Sequence, residues 1–364
     1  MEYTQMEQYW IWLSSVQGVG IKRFNRLLAD FGDARTLWDN IRGTPVPYLP
    51  QKVYQAILGA RTDEYFYALF RRFEEREIAC IPLISELYPQ SLARIEDAPN
   101  VLYVKGEGNL LFDRAISVVG TRNATRDGLR AAYDICKELA QHGVTIVSGM
   151  ARGIDTQAHL GCLDGCGRTV AVLGSGADVV YPPENKKLYE RILQCGGMIV
   201  SEQMPGTGPL AQNFPARNRI ISALSEGVLL VEAGKRSGGL ITTEFAAEQG
   251  KELFVVPGSI YSESCAGSNA LLRDCNSPVC DAWDILEYYR WAQRETNGES
   301  RAPHIALTDE EKRILALLRR EELSFDELID ETGFAAPELN SLLTTMELTG
   351  KIARAPGKVY RARV

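Results

Sequence analysis

Arg217 and Arg219 sit inside the stretch NFPARNRIIS (213–222), on what reads as the first turn of a helix that goes on to bury Ile220, Ile221 and Leu224. Arginine is rarely buried without a partner, and a helix N-terminus already carries partial positive charge. Two cations there work against the macrodipole unless an anion joins them. Other stretches offer matching donors. Gly120-Thr121-Arg122, Ser148-Gly149-Met150-Ala151-Arg152-Gly153, Gly174-Ser175-Gly176 and the run from Ser237 and Gly238 through Thr242 to Glu244 each follow a short apolar segment. Glycine lets backbone amides approach an oxyanion, and Ser or Thr adds a hydroxyl donor. With Arg122, Arg152, Arg217 and Arg219 these loops amount to a donor surface suited to phosphate. The plainer alternatives are turn glycines and arginines paired with Glu202, Glu226 or Glu232.

Catalysis is poorly served by the same residues. The first apolar run is not followed by a full GxGxxG, and there is no Walker A sequence. Asp155 and His159, at i, i+4 spacing, are expected to share a local hydrogen bond, since no nucleophile accompanies them. Cys162 and Cys166 have the same spacing, but no second pair stands at zinc-site distance. The eight cysteines (80, 136, 162, 166, 195, 265, 275 and 280) read as small buried thiols. No metal and no cofactor are expected, and binding outranks catalysis.

The elements that must position these loops follow from the patterning. AISVVG, TIVSG, TVAVLGSG, MIVSE, GVLLVEAG and ELFVVPG are apolar runs without polar alternation, separated by helical stretches. That rhythm implies an α/β doubly wound, mostly parallel sheet covered on both faces. In such a sheet ligands gather at the carboxyl ends of the strands. A chain of 364 residues suggests two or three domains. The expected boundaries are a mostly helical domain over 1–110, the α/β domain over 111–293, a polar linker over 294–304 and a final domain over 305–364. In the first, VQGVGIKRFNRLLADFG (16–32) resembles a helix-hairpin-helix turn, although a small packing domain of the sterile-alpha-motif type is the favoured reading. In the last, three amphipathic segments and a hairpin around Pro356-Gly357 outline a winged helix. Lys351, Arg354, Lys358, Arg361 and Arg363 stand at its end, but its third helix carries Glu338 and Glu347 and no base.

The net charge of −7 argues against a protein coated with nucleic-acid-binding charge, and residues 112–287 hold 16 Lys or Arg against 20 Asp or Glu. A polyanion must be held locally, not by bulk attraction. No stretch approaches a membrane span. MEYTQMEQYW has acids and aromatics where a signal peptide needs a basic end and an apolar block, so a cytoplasmic location is expected.

As a set, SVVGTRNATRDG, SGMARGIDTQAH, AVLGSGADVVYPPEN, SEQMPG, NFPARNRIIS, VLLVEAGKRSGGLITTEFAAEQGKELFVVPG and AGSNALLRDC resemble, in order, the DNA-processing protein A (DprA/Smf) family. The resemblance is dense over residues 80–287. It implies an extended Rossmann-like domain and a cytoplasmic homodimer, not an enzyme, that binds single-stranded DNA. It further implies protection of incoming strands and loading of the RecA recombinase during natural transformation. DNA-binding positions carry over at Gly120, Arg122, Ser148, Gly149, Phe214, Arg217 and Asn218, with Phe214 offering a ring to a base. Arg152, Arg219, Ser237, Gly238 and Thr242 join them from the donor loops. Thr125 and Asp127 depart from the serine and tyrosine common at these places in the family. An enzymatic alternative comes from SGGLITTE, which is similar to a motif of lysine-decarboxylase-like nucleotide phosphoribohydrolases and would make Glu244 the acid.

Overall fold

In the computed structural model, residues 2–274, 277–293, 308–318, 323–348, 352–355 and 359–362 are described. They belong to two compact units, Met1–Arg294 and Glu295–Val364. The linker expected at 294–304 lies outside the described residues, as do Cys275, Lys351, Lys358 and Arg363.

Five helices open the first unit: α1 (Gln5–Ser15), α2 (Ile21–Phe31), α3 (Ala34–Asn40), α4 (Gln51–Ala60) and α5 (Asp63–Glu75). Thr4, Asp33 and Thr62 cap α1, α3 and α5 by accepting backbone N–H bonds, which satisfies amides that have no partner within the helix. Their apolar faces meet around Trp12, fully buried, whose indole N–H donates to the Ala60 carbonyl at 2.8 Å. Gly18 takes φ +88°, and a Cβ there would lie 2.9 Å from Val53. That glycine therefore serves close packing of the turn against α4.

The chain then builds one sheet through β1 (Ile78–Pro82), α6 (Gln90–Ala93), β2 (Val101–Gly106), β3 (Ala115–Val119), α7 (Arg126–Gln141), β4 (Thr145–Ser148), α8 (Ile154–Asp164), β5 (Thr169–Val172), α9 (Lys186–Gln194) and β6 (Met198–Ser201). It continues through α10 (Asn213–Ala223), β7 (Gly227–Leu230), α11 (Gly238–Glu248), β8 (Glu252–Val255), α12 (Ala266–Arg273), β9 (Ser277–Pro278) and α13 (Ala282–Tyr288). The strand order is β1-β2-β6-β5-β4-β3-β7-β8-β9. All pairs from β6 to β9 are parallel, and β2 joins β6 antiparallel with β1 beyond it. The sheet thus begins at Ile78, ahead of the boundary expected at 111. Short antiparallel strands following helices gave no repeat by which to read them.

Every residue of β3 to β7 is buried, as expected for strands covered on both sides. Ile116, Val118 and Ile146 pack with Ala132, Ile135 and Leu139 of α7. Ala115, Val119 and Val147 turn the other way, toward Ile220 and Ile221 of α10. Each of these Val, Ile and Leu side chains contributes about 1.5–3 kcal/mol by leaving water. The chain leaves β3 toward β4 on one side and returns through β7 on the other, so β3 marks the switch point where a doubly wound sheet opens a crevice.

The second unit comprises α14 (Asp309–Leu318), β10 (Leu323–Ser324), α15 (Phe325–Thr332), α16 (Ala336–Leu348), β11 (Ile352–Ala355) and β12 (Val359–Ala362), with strand order β10-β12-β11. Ile314, Leu328, Leu339, Leu343, Met346, Ile352 and Tyr360 form its core. This is the expected winged-helix outline. Among the described residues no helix is long and apolar enough to cross a membrane.

Candidate nucleic-acid interface

The loop after β3 is shaped by close approach. A Cβ on Gly120 would stand 2.5 Å from Ile154 and 3.0 Å from the Glu232 carbonyl, so only glycine fits. Thr121 donates its N–H to that carbonyl at 2.8 Å. Glu232, 2% exposed, accepts from the Thr125 hydroxyl at 2.7 Å and from the Thr125 amide. Thr125 in turn caps α7 by accepting from the Gly128 amide at 3.1 Å. A buried carboxylate at a helix N-terminus is favourably placed against the dipole. Glu232 therefore anchors this loop, not an arginine, and Arg122 is left exposed to solvent.

The loop after β4 is organised around Asp155. Its Oδ2 accepts from the Gly149 amide at 3.1 Å and the Ala151 amide at 3.3 Å. Burial raises the Asp155 pKa, while Arg217 and these amides oppose the rise. Arg217, 5% exposed, donates from Nη1 to the Gly149 carbonyl at 2.8 Å and to the Val172 carbonyl, and from Nε to Asn218 Oδ1 at 3.2 Å. A Cβ on Gly149 would lie 2.7 Å from that guanidinium. Burial brings the Arg217 pKa down to about 10, Asp155 pulls it back up and Arg122 adds to the fall. The Arg217 charge stays at neutral pH, with the Gly149 and Val172 carbonyls as its acceptors.

These loops surround a cleft of about 370 Å³ at the carboxyl ends of the strands. Gly120, Thr121 and Arg122 form one wall, and Phe214, Pro215, Arg217 and Asn218 of α10 another. The N-terminus of α11 closes the third side with Arg236, Ser237, Gly238, Gly239 and Thr242. Ser237 caps α11 by accepting from the Gly239 amide at 3.4 Å. Asn218 Nδ2 reaches the Gly238 carbonyl at 3.4 Å, linking α10 to that helix start. A helix N-terminus flanked by Arg122, Arg217 and Arg236 suits an oxyanion through both amides and charge.

Most of the residues expected at a phosphate site meet here, but Ser148, Gly149, Arg152 and Arg219 do not. Ser148 is fully buried, and its hydroxyl donates to the Val118 carbonyl of the neighbouring strand at 2.6 Å. Arg219, two residues beyond Arg217, points about 200° around the helix from it. It binds Glu202 through both terminal nitrogens at 2.6 and 3.1 Å and reaches the Asp97 carboxylate at 2.8 Å. Burial works against the Arg219 charge, and the two carboxylates more than offset that, so its pKa is raised. Arg152 is exposed and paired with Glu184 beside a smaller notch. Gly149 borders that notch as well, and its amide is already committed to Asp155. Asp155 and His159 do not bond each other: His159 Nδ1 lies 2.7 Å from the Thr169 hydroxyl. Cys162 is buried while Cys166, Cys195 and Cys280 are exposed, against the expectation of uniformly buried thiols. Among the described residues no group of His, Cys, Asp and Glu is placed to hold a metal.

Sequence reasoning left Arg236 out, although the basic pair Lys235-Arg236 directly before the cap Ser237 was its signal. Glu244, the acid of the enzymatic alternative, is exposed on α11 and does not line the cleft.

Residues 79–290 match the family model for DNA recombination-mediator protein A, and residues 298–358 match the DprA winged helix domain. Protein Smf of Escherichia coli K12 is 39% identical over 290 residues, covering 78% of this chain and 77% of its own. The X-ray structure of DNA processing protein A from Streptococcus pneumoniae superposes with a TM-score of 0.65 at 33% identity, over 79% of this chain and 98% of that one. DNA processing protein A from Helicobacter pylori, whose structure is described for its single-stranded DNA binding mode, gives 0.53 at 28% identity over 59% and 96%.

Proposed function

Because this chain belongs to the DNA recombination-mediator protein A family, we propose that its cleft holds single-stranded DNA and that the bound strand is delivered to RecA. A phosphate sits at the N-terminus of α11, between Arg122 and Arg236, with the Arg217 charge behind it. Phe214 offers a ring face to an adjacent base, since stacking accepts any base. Gly120, Asn218, Ser237, Gly238 and Thr242 shape the groove and supply its polar lining. Ser148, Gly149 and Arg219 support this surface from beneath and take no part in contact. In the wider role the protein is a cytoplasmic homodimer that protects incoming strands and loads RecA during natural transformation.

The observation that carries this reading is the convergence of three arginines and a helix N-terminus on one open cleft at the switch point of the sheet. The position of Glu244 outside that cleft counts against nucleotide hydrolysis. A gel shift with single-stranded and duplex DNA across salt tests the binding step. Preference for the single strand, weakening steeply with salt, is expected. Equal binding of duplex, or affinity unchanged by salt, contradicts it. RecA loading is tested separately by strand-exchange assays on DNA coated with a single-strand-binding protein.

A further inference from the structure

The helices ahead of the sheet carry a charge pattern that the cleft does not use. Residues 16–52 hold Lys22, Arg23, Arg26, Arg35, Arg42 and Lys52 against Asp30, Asp33 and Asp39, within a chain whose net charge is −7. All three acids are engaged inside the segment. Asp33 caps α3 by accepting from the Thr36 amide at 2.8 Å, Asp30 accepts from the Tyr48 hydroxyl, and Asp39 faces Arg35 at 3.8 Å. Lys22, Arg23, Arg26 and Lys52 are exposed, and among the described residues none of the four forms an ion pair. Two of them are nevertheless held in place. Arg23 Nη1 donates to the Gly18 carbonyl at 2.7 Å, and the Arg26 guanidinium lies 3.7 Å from the centre of the Tyr48 ring. A carbonyl and a ring face fix a guanidinium without cancelling its charge. The four also stand together. Lys22, Arg23 and Arg26 share the first two turns of α2, and Gly18 packs on Val53, next to Lys52 in the first turn of α4.

We propose that these four cations form a second DNA site, which grips the phosphate backbone of duplex DNA. None of them lines the cleft. Like charges held close repel one another, so a polyanion relieves a cost already present in the free protein. The exposed neighbours Gln17, Asn25 and Gln51 offer neither a ring nor a long apolar side chain, and the half-buried Tyr48 ring is taken by Arg26. Bases of a single strand therefore find no free stacking surface here, and a lipid surface finds no apolar face to bury. What remains is charge density. A duplex presents about one negative charge per 1.7 Å of its axis, roughly twice that of either strand alone. Contacts of this kind position the backbone and carry no sequence information. The duplex affinity lies below the single-strand affinity of the cleft, where stacking adds to charge.

The test is fluorescence anisotropy of a labelled blunt duplex and of a labelled oligothymidylate, each titrated with the full chain from low to physiological salt. Wild type should bind the duplex at low salt, with log affinity falling against log salt at a slope of roughly −3 to −4. Lys22→Gln/Lys52→Gln should bind the duplex about ten-fold more weakly, make that slope shallower by about two and bind oligothymidylate as wild type does. Arg71→Gln/Arg130→Gln, which removes the same charge from ion pairs with Glu75 and Asp134, should change neither. Arg122→Ala should lose single-strand affinity and keep the duplex. Absence of duplex binding at low salt overturns the patch, as does duplex binding that Arg122→Ala removes and Lys22→Gln/Lys52→Gln leaves intact. Equal loss of both ligands in Lys22→Gln/Lys52→Gln overturns it too, since the four cations then belong to the path of the single strand. So does capture of phosphatidylglycerol vesicles that needs Lys22 and Lys52 while duplex binding does not. If Arg122→Ala binds oligothymidylate as wild type does, the cleft reading falls and the patch stands.

Discussion

Arg217 and Arg219 occupy opposite faces of one helix and have opposite surroundings. On the cleft side Arg217 meets carbonyl oxygens and keeps its nearest carboxylate, Asp155, occupied with backbone amides. On the far side Arg219 is fully engaged by Glu202 and Asp97. One face of α10 thus keeps positive charge available to a ligand, and the other spends it on tying α10 to the loops that hold Asp97 and Glu202. What separates the arginine proposed to bind from the structural one is how its carboxylate neighbour is engaged, not the residue type or the depth of burial.

The largest effect should come from the structural face. Arg219→Ala leaves the partly buried Glu202 without its partner and should destabilise the fold by about 3–5 kcal/mol, read by denaturant unfolding. The folded fraction should bind single-stranded DNA as wild type does. A stable variant with weak binding would erase the distinction between the two faces.

A comparable pH effect is expected beneath the cleft. His159 is fully buried, and burial together with the Arg217 charge lowers its pKa to about 3. The unfolded chain binds this proton from about pH 6.5 downward, whereas the folded chain resists it. Stability is therefore complete above that value and is lost as pH falls toward 3, by roughly 5 kcal/mol in all. In His159→Gln this component should disappear from the pH profile of unfolding. An unaltered slope between pH 6 and 4 would contradict a neutral His159 beneath Arg217.

The sheet was legible because β3 to β8 are apolar runs, all but β6 followed by glycine within a few residues, and continuous burial on two faces leaves that mark in a sequence. The crevice followed from it, with Gly120, Arg122, Phe214, Asn218 and the α11 start all converging as expected. The phase of α10 was not legible, since spacing puts Arg217 and Arg219 on one turn without saying which faces inward. The sequence offers Glu202 as a possible partner, but Asp97 lies far off in the sequence and on a loop. The burial of Ser148 is hidden for a related reason: its hydroxyl donates to the Val118 carbonyl on the adjacent strand, a contact that only register reveals.

The smallest effect should come from the second unit. The exposed positions of α16 include Asn340, Ser341, Thr344, Thr345 and Glu347, without a cation, and the Thr344 and Thr345 hydroxyls donate back to the Asn340 and Ser341 carbonyls. A major-groove reader needs donors there. A chain ending at residue 293 should keep most of its single-strand affinity in a gel shift. Near-complete loss would move the binding surface to the winged helix.

Exposed and buried cations at the carboxyl ends of the strands are proposed to bind a DNA phosphate, and Arg122 tests this with least risk to the fold because it is exposed. The measurement is the anisotropy of a labelled oligothymidylate titrated with wild type and Arg122→Ala at low and physiological salt, with folding confirmed by circular dichroism. Loss of one charge-assisted contact should cost about 1.5–3 kcal/mol, at least a ten-fold weaker binding, and should flatten the salt dependence. A folded Arg122→Ala protein with wild-type affinity and wild-type salt slope would contradict the account.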